Sequence, residues 1–433
     1  MRIKNIISVI AAAAIAAGSF SGCAGTAASS SSKAGQNKTI TYMAMWNENE
    51  AQATVAKQAI ADFEAANPGV TVKVTWGGRD IRKTLKTSID AGQQVDVVEN
   101  SPDWLYPNLG TKYLLKLDSY MNKVYPTTEN KAFKDTLLPV MTKFASTYAG
   151  DNSYYYVPNQ PSVAAIFYNK DLFKKAGITT VPSSWDEFLG ACAKLKAAGI
   201  APLTVDDAYY GILYGQYLAE AKGDVWAGKL FSDKTGENWS DPAVSQFAKA
   251  FEELYKKGYF TTTTGSNKYP AAQQELALGK AAMYMNGSWF PNEVASTAGP
   301  DFNWGVMAFP NVPNGQYNNK NMMLISQGYA VCSKSKDPDL AFKLITYFMD
   351  KKTQQAFADK AACIPCTVGS TWPKALKDLG PMFNSMYNTF AWGGAKNPDS
   401  DFTSVVDGDF AKLISGKLTS DQFVSDLKTK AKR

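Results

Sequence analysis

The sequence predicts an α/β protein of two lobes, each built from a mostly parallel sheet flanked by helices. Short apolar runs with strand patterning alternate with helical stretches, and this alternation is typical of parallel sheets that are covered on both faces. The chain has 433 residues, which is long enough for two or more domains. Hydrophobic residues make up 45% of it, which is ample for substantial cores.

The first 22 residues have the composition of an export signal. A basic start leads into an apolar run and then into small residues. Phe20-Ser21-Gly22-Cys23 resembles the bacterial lipobox, although Phe20 stands where leucine is usual and a plain secretory signal is the alternative. We therefore expect Cys23 to carry a lipid anchor of diacylglycerol and palmitate. Residues 23–37, rich in Ala, Gly and Ser, are expected to form a flexible tether.

The first lobe is predicted from five alternating segments. Strands are expected at 40–45, 70–76 and 95–99, with helices at 51–66 and 80–91 between them. Ligands of such sheets bind beyond the carboxyl ends of the strands. The loops at those ends are polar and two carry an indole, although the aspartates in them can equally be helix caps. Their candidate residues are Trp46, Asn47, Glu48, Asp80, Ser101 and Asp103.

The second lobe is predicted to begin near residue 159. Strands are expected at 162–168, 200–205 and 281–286. Ser184 and Glu187 form the capping-box pattern of a helix that extends to residue 198. Two of these strands again lead into carboxylates and aromatic residues, and these add Asp206, Asp207, Tyr209 and Trp289 to the candidates.

The rest of the chain continues the alternation. Strands are expected at 304–309 and 328–333, separated by a polar loop, and one helix is expected at 338–361. An aromatic segment that ends at Trp392 precedes two helices, at 402–415 and 419–430.

Composition excludes several classes of function. The chain contains no histidine, which removes the triads, metal sites and acid–base mechanisms that require an imidazole. Its net charge of +6 is interspersed along the chain and forms no basic stripe for nucleic acid. It has no P-loop and no complete G-x-G-x-x-G motif, and we expect neither a metal nor a cofactor.

Four cysteines remain besides Cys23. Cys192 and Cys332 lie in apolar patterns and are expected to be buried thiols. Cys363 and Cys366 have C-x-x-C spacing without a neighbouring thioredoxin-like pattern, which favours a local disulfide or two inert thiols over redox catalysis.

The candidate residues have the chemistry of a sugar site. Sugars present hydroxyl groups to carboxylates and amides, and they present apolar C–H faces to aromatic rings. The predicted strand ends repeatedly offer both kinds of side chain.

Several motifs resemble those of the maltose-binding type of extracellular solute-binding proteins, which serve ATP-driven sugar importers. The segments YYVP at 155–158, FYNKDLF at 167–173 and PSSWDEF at 182–188 are similar to the family's Y-x-x-P, YNKDLF and P-x-T-W-D-E-F succession, with Ser184 where threonine is common. Residues 279–283 and 286–289 resemble its GKAAM and G-x-W elements. The resemblance covers residues 38–433.

The resemblance implies a type II periplasmic-binding-protein fold with about three crossings at a hinge. The implied lobes are 38–158 with about 306–362, and 159–305 with 363–433. Trp289 matches the aromatic residue that stacks under the ligand, and Asp206, Asp207 and Tyr209 match a segment that faces the cleft. Trp392 is a further candidate from the C-terminal third. A disulfide between Cys363 and Cys366 would then stiffen the hinge.

The implied function is capture of an oligosaccharide between two closing lobes and its delivery to the permease subunits of an ABC importer. The protein would be a monomer without catalytic activity, lipid-anchored to the outer face of the plasma membrane or periplasmic. A polyamine, opine or peptide ligand is one alternative, because several candidates are acidic. A lipid-anchored glycoside hydrolase that uses carboxylates such as Asp206 and Asp207 is another, although adjacent residues at a strand end point to opposite sides.

Overall fold

The computed structural model describes residues 37–318, 321–386 and 388–433. Its strands are β1 (Lys38–Ala44), β2 (Val70–Trp76), β3 (Val97–Glu99), β4 (Val157–Asn169), β5 (Ala201–Thr204), β6 (Ala281–Gly287), β7 (Trp304–Met307), β8 (Asn321–Val331) and β9 (Asn388–Phe390).

Helices flank these strands over the whole described chain. They are α1 (Ala51–Ala66), α2 (Ile81–Asp90), α3 (Pro102–Asn108), α4 (Gly110–Tyr113), α5 (Asp118–Met121), α6 (Pro139–Tyr148), α7 (Lys170–Lys175), α8 (Trp185–Ala197), α9 (Tyr210–Lys222), α10 (Asp224–Phe231), α11 (Pro242–Lys256), α12 (Ala271–Ala277), α13 (Phe290–Glu293), α14 (Ala295–Ala298), α15 (Pro338–Phe348), α16 (Lys351–Ala361), α17 (Leu379–Ser385), α18 (Ser400–Ile414) and α19 (Ser420–Lys430).

The strands pair in the order β2-β1-β3-β8-β4-β6-β5, with β7 added to β4 and β9 added to β8. This confirms the predicted α/β class. The sheet is mixed, however, and not mostly parallel. Pairs β1–β2, β1–β3, β5–β6 and β8–β9 are parallel, whereas β4 and β8 run antiparallel to their other neighbours. The periodicity of a strand reports its burial and not its direction, which is why the sequence pattern missed this.

Strands β4 and β8 join the two halves of the sheet. The first part of β4, from Val157 to Val163, pairs with β8, and its last part, from Ala164 to Asn169, pairs with β6 and β7. Strand β8 in turn pairs with β3 through its last residues. One antiparallel pair of strands therefore carries the chain between the parallel β1–β3 group and the β5–β6 group.

Helix α8 begins at the cap that the sequence shows. Ser184 accepts a hydrogen bond from the Glu187 amide and Glu187 bonds back, which completes the predicted capping box of α8. The single helix predicted at 338–361 is wrong, because the structure has two helices there. Asp350 lies between them with extended backbone, and its side chain caps α16 by accepting from the Thr353 amide.

The hydrophobic core continues across the predicted boundary between the lobes. Residues Lys38–Arg433 form one contact unit, and one hydrophobic cluster contains residues from both predicted lobes, among them Val97, Val163 and Tyr284. Met307 and Phe309 pack into the cluster of the second lobe. We therefore propose that the second crossing lies within β8 and not near residue 306.

All four cysteines that the structure describes are free thiols. Cys363 and Cys366 form no disulfide, so of the two predicted alternatives the structure has the inert thiols. Burial raises the pKa of the Cys363 thiol to about 12, which keeps it protonated and unreactive at neutral pH. The predicted hinge-stiffening disulfide is therefore absent.

A thiol titration checks this assignment. In a Cys23→Ala variant, which removes the lipidation candidate, the denatured chain should titrate four thiols, because Cys192, Cys332, Cys363 and Cys366 are all reduced. A count of two would show that a disulfide forms in the folded protein.

Candidate functional site

A cavity of about 660 Å³ lies over the β4–β8 pair. Residues next to the β1–β3 group and residues next to the β5–β6 group both line it. Its volume is within the usual range for small-molecule sites. The lining residues are Trp46, Glu50, Ala51, Gln52, Arg79, Gln160, Pro161, Ser162, Tyr209, Ser288, Trp289, Asn292, Glu293, Ile325, Gln327, Lys360, Ala361, Ala362, Cys363 and Ile364. The two crossing strands thus form one wall, and loops and helix ends of both lobes form the others.

Three aromatic side chains line the cavity, one from the first lobe and two from the second. They are Trp46, Tyr209 and Trp289. Trp392 is not in the lining but packs against Trp289, with ring centroids 5.2 Å apart and planes tilted by 40°. Trp392 therefore supports the indole that faces the cavity.

The position of Trp392 depends on a close approach of two glycines. A methyl group on Gly215 of α9 would lie 2.0 Å from the Gly393 carbonyl oxygen. Gly393 has φ +77°, a conformation that favours glycine. These glycines let the segment that holds Trp392 lie directly on α9.

The indole nitrogen of Trp46 is held by a hydrogen bond to a buried carboxyl group. Trp46 Nε1 donates to Glu99 Oε1 at 2.7 Å, and the Tyr42 hydroxyl donates to the other carboxyl oxygen. Glu99 is fully buried at the end of β3. Burial raises its pKa to about 7, and the two hydrogen bonds oppose that rise without cancelling it.

One face of the Trp46 indole is covered by Arg79. The guanidinium carbon lies 4.5 Å from the ring centroid, and the indole is only 6% exposed. Arg79 Nη1 donates to both carboxyl oxygens of Glu50, at 2.6 and 2.9 Å. Burial raises the pKa of Glu50, but hydrogen bonds from Asn47 and Arg79 outweigh it and leave that pKa below its ordinary value.

Two buried amide atoms at the cavity wall have no hydrogen-bond partner. They are Gln160 Nε2 on β4 and Gln327 Oε1 on β8. Gln160 Oε1 accepts a hydrogen bond from the Cys363 thiol at 3.3 Å. Unpaired buried amide groups are costly, and here one donor and one acceptor belong to neighbouring strands of the crossing.

The structure brings only part of the sequence-predicted set to the cavity. Trp46, Tyr209 and Trp289 line it, and Trp392 lies directly behind the lining. Asn47 lies beside it, where its backbone and side-chain amides both donate to Glu50 Oε1.

The other first-lobe candidates lie outside the lining. Glu48 pairs with Lys57 at 2.9 Å and Asp80 pairs with Lys83 at 2.7 Å. Asp103 is exposed in the first turn of α3, and Ser101 is buried, where its hydroxyl accepts from Arg82.

The two adjacent aspartates also lie outside the lining. Asp206 is fully buried and accepts from the Tyr284 hydroxyl at 3.1 Å. Burial raises its pKa to about 6, and the bond from Tyr284 opposes the rise. Asp207 pairs with Lys268 at 2.9 Å and accepts from the Tyr269 amide. Their contacts are those of groups that shape the loop.

Sequence reasoning missed most of the polar lining. Glu50, Arg79, Gln160, Glu293 and Gln327 were not among the candidates. Arg79 was adjacent to one in the loop after β2, but Glu50 begins a helix and Gln160 and Gln327 lie within strands. No local pattern distinguishes these residues from ordinary polar residues.

Within the described parts of the chain, no group of acidic or cysteine residues is arranged to hold a metal ion. The same residues include no helix of the length and apolarity needed to cross a bilayer.

A cavity between two α/β halves joined by crossing strands defines the architecture of a two-lobed solute-binding protein. The profile of the family described as bacterial extracellular solute-binding protein matches residues 46–355. The chain therefore belongs to this family. Among curated relatives, the multiple sugar-binding protein of Streptococcus mutans is 27% identical over 347 residues, which is 77% of each chain.

Solved structures show the same fold. The apo form of RafE from Streptococcus pneumoniae superposes with a TM-score of 0.72 at 21% identity, over 92% of this chain and 99% of that one. The bacterial solute receptor AcbH gives a TM-score of 0.74 at 18% identity, over 92% and 97% of the two chains. The predicted two-lobed fold is confirmed by these likenesses.

The carboxyl group under Trp46 predicts a pH dependence of stability. A carboxyl whose pKa is raised by folding stabilises the protein below its unfolded pKa and loses that contribution as pH rises through the folded pKa. The stability of the wild type relative to Glu99→Gln should therefore fall by about 3 kcal/mol between pH 4.5 and 7.5. Urea unfolding at a series of pH values measures this.

Glu129→Gln, on an exposed turn, is the control for exchanging a carboxyl for an amide. A difference between wild type and Glu99→Gln that stays flat, or grows with pH, would show that Glu99 is not the buried titrating group.

Proposed function

We propose that this protein is the extracellular substrate-binding component of an ABC importer and that its ligand is a neutral oligosaccharide. Membership of the solute-binding family supports the transport role. The name of the multiple sugar-binding relative supports the ligand class. We also propose that the predicted residues that line the cavity, Trp46, Tyr209 and Trp289, contact the ligand.

The observation that carries the proposal is the mixed lining of the cavity. The rings of Tyr209 and Trp289 offer surfaces on which sugar C–H faces stack, and Trp46 offers its face once a ligand replaces Arg79. Ser162, Ser288 and Asn292 offer hydroxyl and amide groups for sugar hydroxyls. Ligand contacts with both lobes favour the closed arrangement, because a ligand shifts a conformational equilibrium by its differential affinity for the two states. The permease subunits would then recognise the closed form.

Charge in the cavity favours a neutral ligand over a polyamine. The lining contains two cationic side chains, Arg79 and Lys360, and two acidic ones, Glu50 and Glu293, so their charges balance. Five acidic candidates could have held a cation. Three of them, Glu48, Asp80 and Asp207, are paired with lysines, and Asp103 and Asp206 also lie outside the lining. The same placement argues against Asp206 and Asp207 as the carboxylate pair of a hydrolase acting in this cavity.

Attachment to the membrane rests on the sequence. The lipobox-like Phe20-Ser21-Gly22-Cys23 and the tether to residue 37 lie outside the described residues, apart from Asn37. We propose that Cys23 is acylated and holds the binding protein, as a monomer, at the outer face of the membrane near its permease.

Trp289→Ala tests the stacking role. Loss of the indole should weaken sugar binding about 10- to 100-fold, because a large desolvated ring is removed from the ligand face, and Trp289→Phe should retain much of the affinity. Thermal-shift screening with maltotriose, raffinose, cellotriose and spermidine identifies the ligand first, since a ligand of the folded state raises Tm. Calorimetric titration then gives Kd for each variant.

Trp226→Ala is the matched control, because this half-buried indole contacts Lys222 outside the cavity lining. Equal losses in the two alanine variants would place the effect in the fold. Stabilisation by spermidine and by none of the sugars would overturn the proposed ligand class.

Cys23→Ala tests the anchor. The variant should no longer partition into the detergent phase of a Triton X-114 extract or incorporate labelled palmitate, because it lacks the acyl-accepting thiol. Cys192→Ala, in the described fold, is the control and should remain in the detergent phase. Unchanged partitioning of Cys23→Ala would show that the protein is not held by a lipid on this residue.

A further inference from the structure

Strand β4 contains a left-handed residue where it passes between the lobes. Gln160 has φ +47°, and the pairing of β4 with β8 slips between Asn159 and Pro161. Glutamine seldom adopts this conformation, and the proline after it restricts its backbone further towards extended geometry. Strained residues of this kind persist only where the surroundings hold them, and they concentrate at switches and binding sites.

The surroundings of Gln160 hold one side of this bend firmly. Asn159 Nδ2 donates to the Tyr329 hydroxyl, and Asn159 Oδ1 accepts from Gln354 Nε2, both at 2.9 Å. Gln354 Oε1 accepts in turn from the Cys366 amide at 2.7 Å. The backbone before Gln160 is thereby tied to β8 and to the segment that follows α16.

The side chain of Gln160 is only half satisfied. Its Oε1 accepts from the Cys363 thiol, whereas its Nε2 is buried and has no partner, although the residue lines the cavity and is 5% exposed. Gln160 thus combines two costs in this conformation, a left-handed backbone and an unpaired buried donor. A backbone rotation at this one residue can relieve both if it turns Nε2 towards an acceptor in the cavity.

We infer that Gln160 couples ligand binding to movement of the lobes. Its backbone is the pivot of the first crossing, and its Nε2 donates to an oxygen of the bound ligand when the lobes close. The ligand contact rests on the proposed function, whereas the pivot does not. The group that Gln160 selects for is a hydrogen-bond acceptor on the ligand, such as a hydroxyl or ring oxygen of a sugar.

Two substitutions separate the backbone from the amide. Gln160→Gly removes both the strain and the amide, because glycine adopts positive φ freely. Gln160→Ala removes the amide and keeps the strain. Glu129→Gly is the control, since Glu129 also has positive φ, at +51°, but is exposed and outside the cavity lining.

The first measurement needs no ligand. Lys73 on β2 and Lys249 on α11 are exposed and can each be replaced by cysteine and spin-labelled. Double electron–electron resonance then reports the distance between the lobes. Gln160→Gly should broaden the distribution of distances in the ligand-free protein, whereas Gln160→Ala and Glu129→Gly should leave it as in the wild type. An unchanged distribution in Gln160→Gly overturns the inference.

The second measurement uses raffinose, maltotriose and cellotriose as probes. For a sugar that binds the wild type, Gln160→Ala should weaken Kd by about 5- to 10-fold, as expected for one lost hydrogen bond, and reduce the shift in label distance. Glu129→Gly should bind as the wild type does. A Kd for Gln160→Ala within twofold of the wild type overturns the inference. Failure of all three sugars with the wild type counts against the proposed ligand class, while the ligand-free measurement still decides the pivot.

Discussion

The antiparallel pairing of β4 with β8 is the constraint on which the rest of the structure depends. Because β4 pairs with β8 in its first part and with β6 and β7 in its last, backbone hydrogen bonds connect the two halves of the sheet through a single pair of strands. The same strands provide Gln160, Ser162, Ile325 and Gln327 to the cavity. The crossing between the lobes and the cavity wall therefore share residues, so a movement of the backbone at the crossing also moves the cavity wall.

The aromatic lining is held in place by groups that do not touch the cavity. Glu99 fixes the edge of the Trp46 indole, and the close contact of Gly215 with Gly393 allows Trp392 to lie against Trp289. Such support limits the rotamers of the rings before a ligand arrives, and that reduces the entropy lost on binding. The cover of Arg79 over Trp46 adds a contact that a ligand must replace in order to stack on that ring.

Much of the secondary structure could be predicted because local patterns determine it. Helix α1 and strand β2 have the predicted limits, and the capping box at Ser184 and Glu187 starts α8 as expected. The break at Asp350 was missed because both helices share one apolar periodicity and a single side-chain cap divides them. The direction of β4 and β8 was missed because alternation along a strand carries no information on its partner. Of the cavity lining, the aromatic residues follow the ends of strands and were among the candidates, whereas the amides lie within strands and were not.

The sequence by itself determined the class of the protein, through its alternating pattern, its family motifs and its lack of histidine, and these depend on residue identity and near neighbours alone. Tertiary structure decided which polar residues share the cavity. Glu50, Arg79 and Gln160 meet there only because three separate segments converge. Asp206 lies outside the lining, where it accepts a hydrogen bond from Tyr284, 78 residues later. Contacts of such sequence separation are set by packing, which no local pattern encodes.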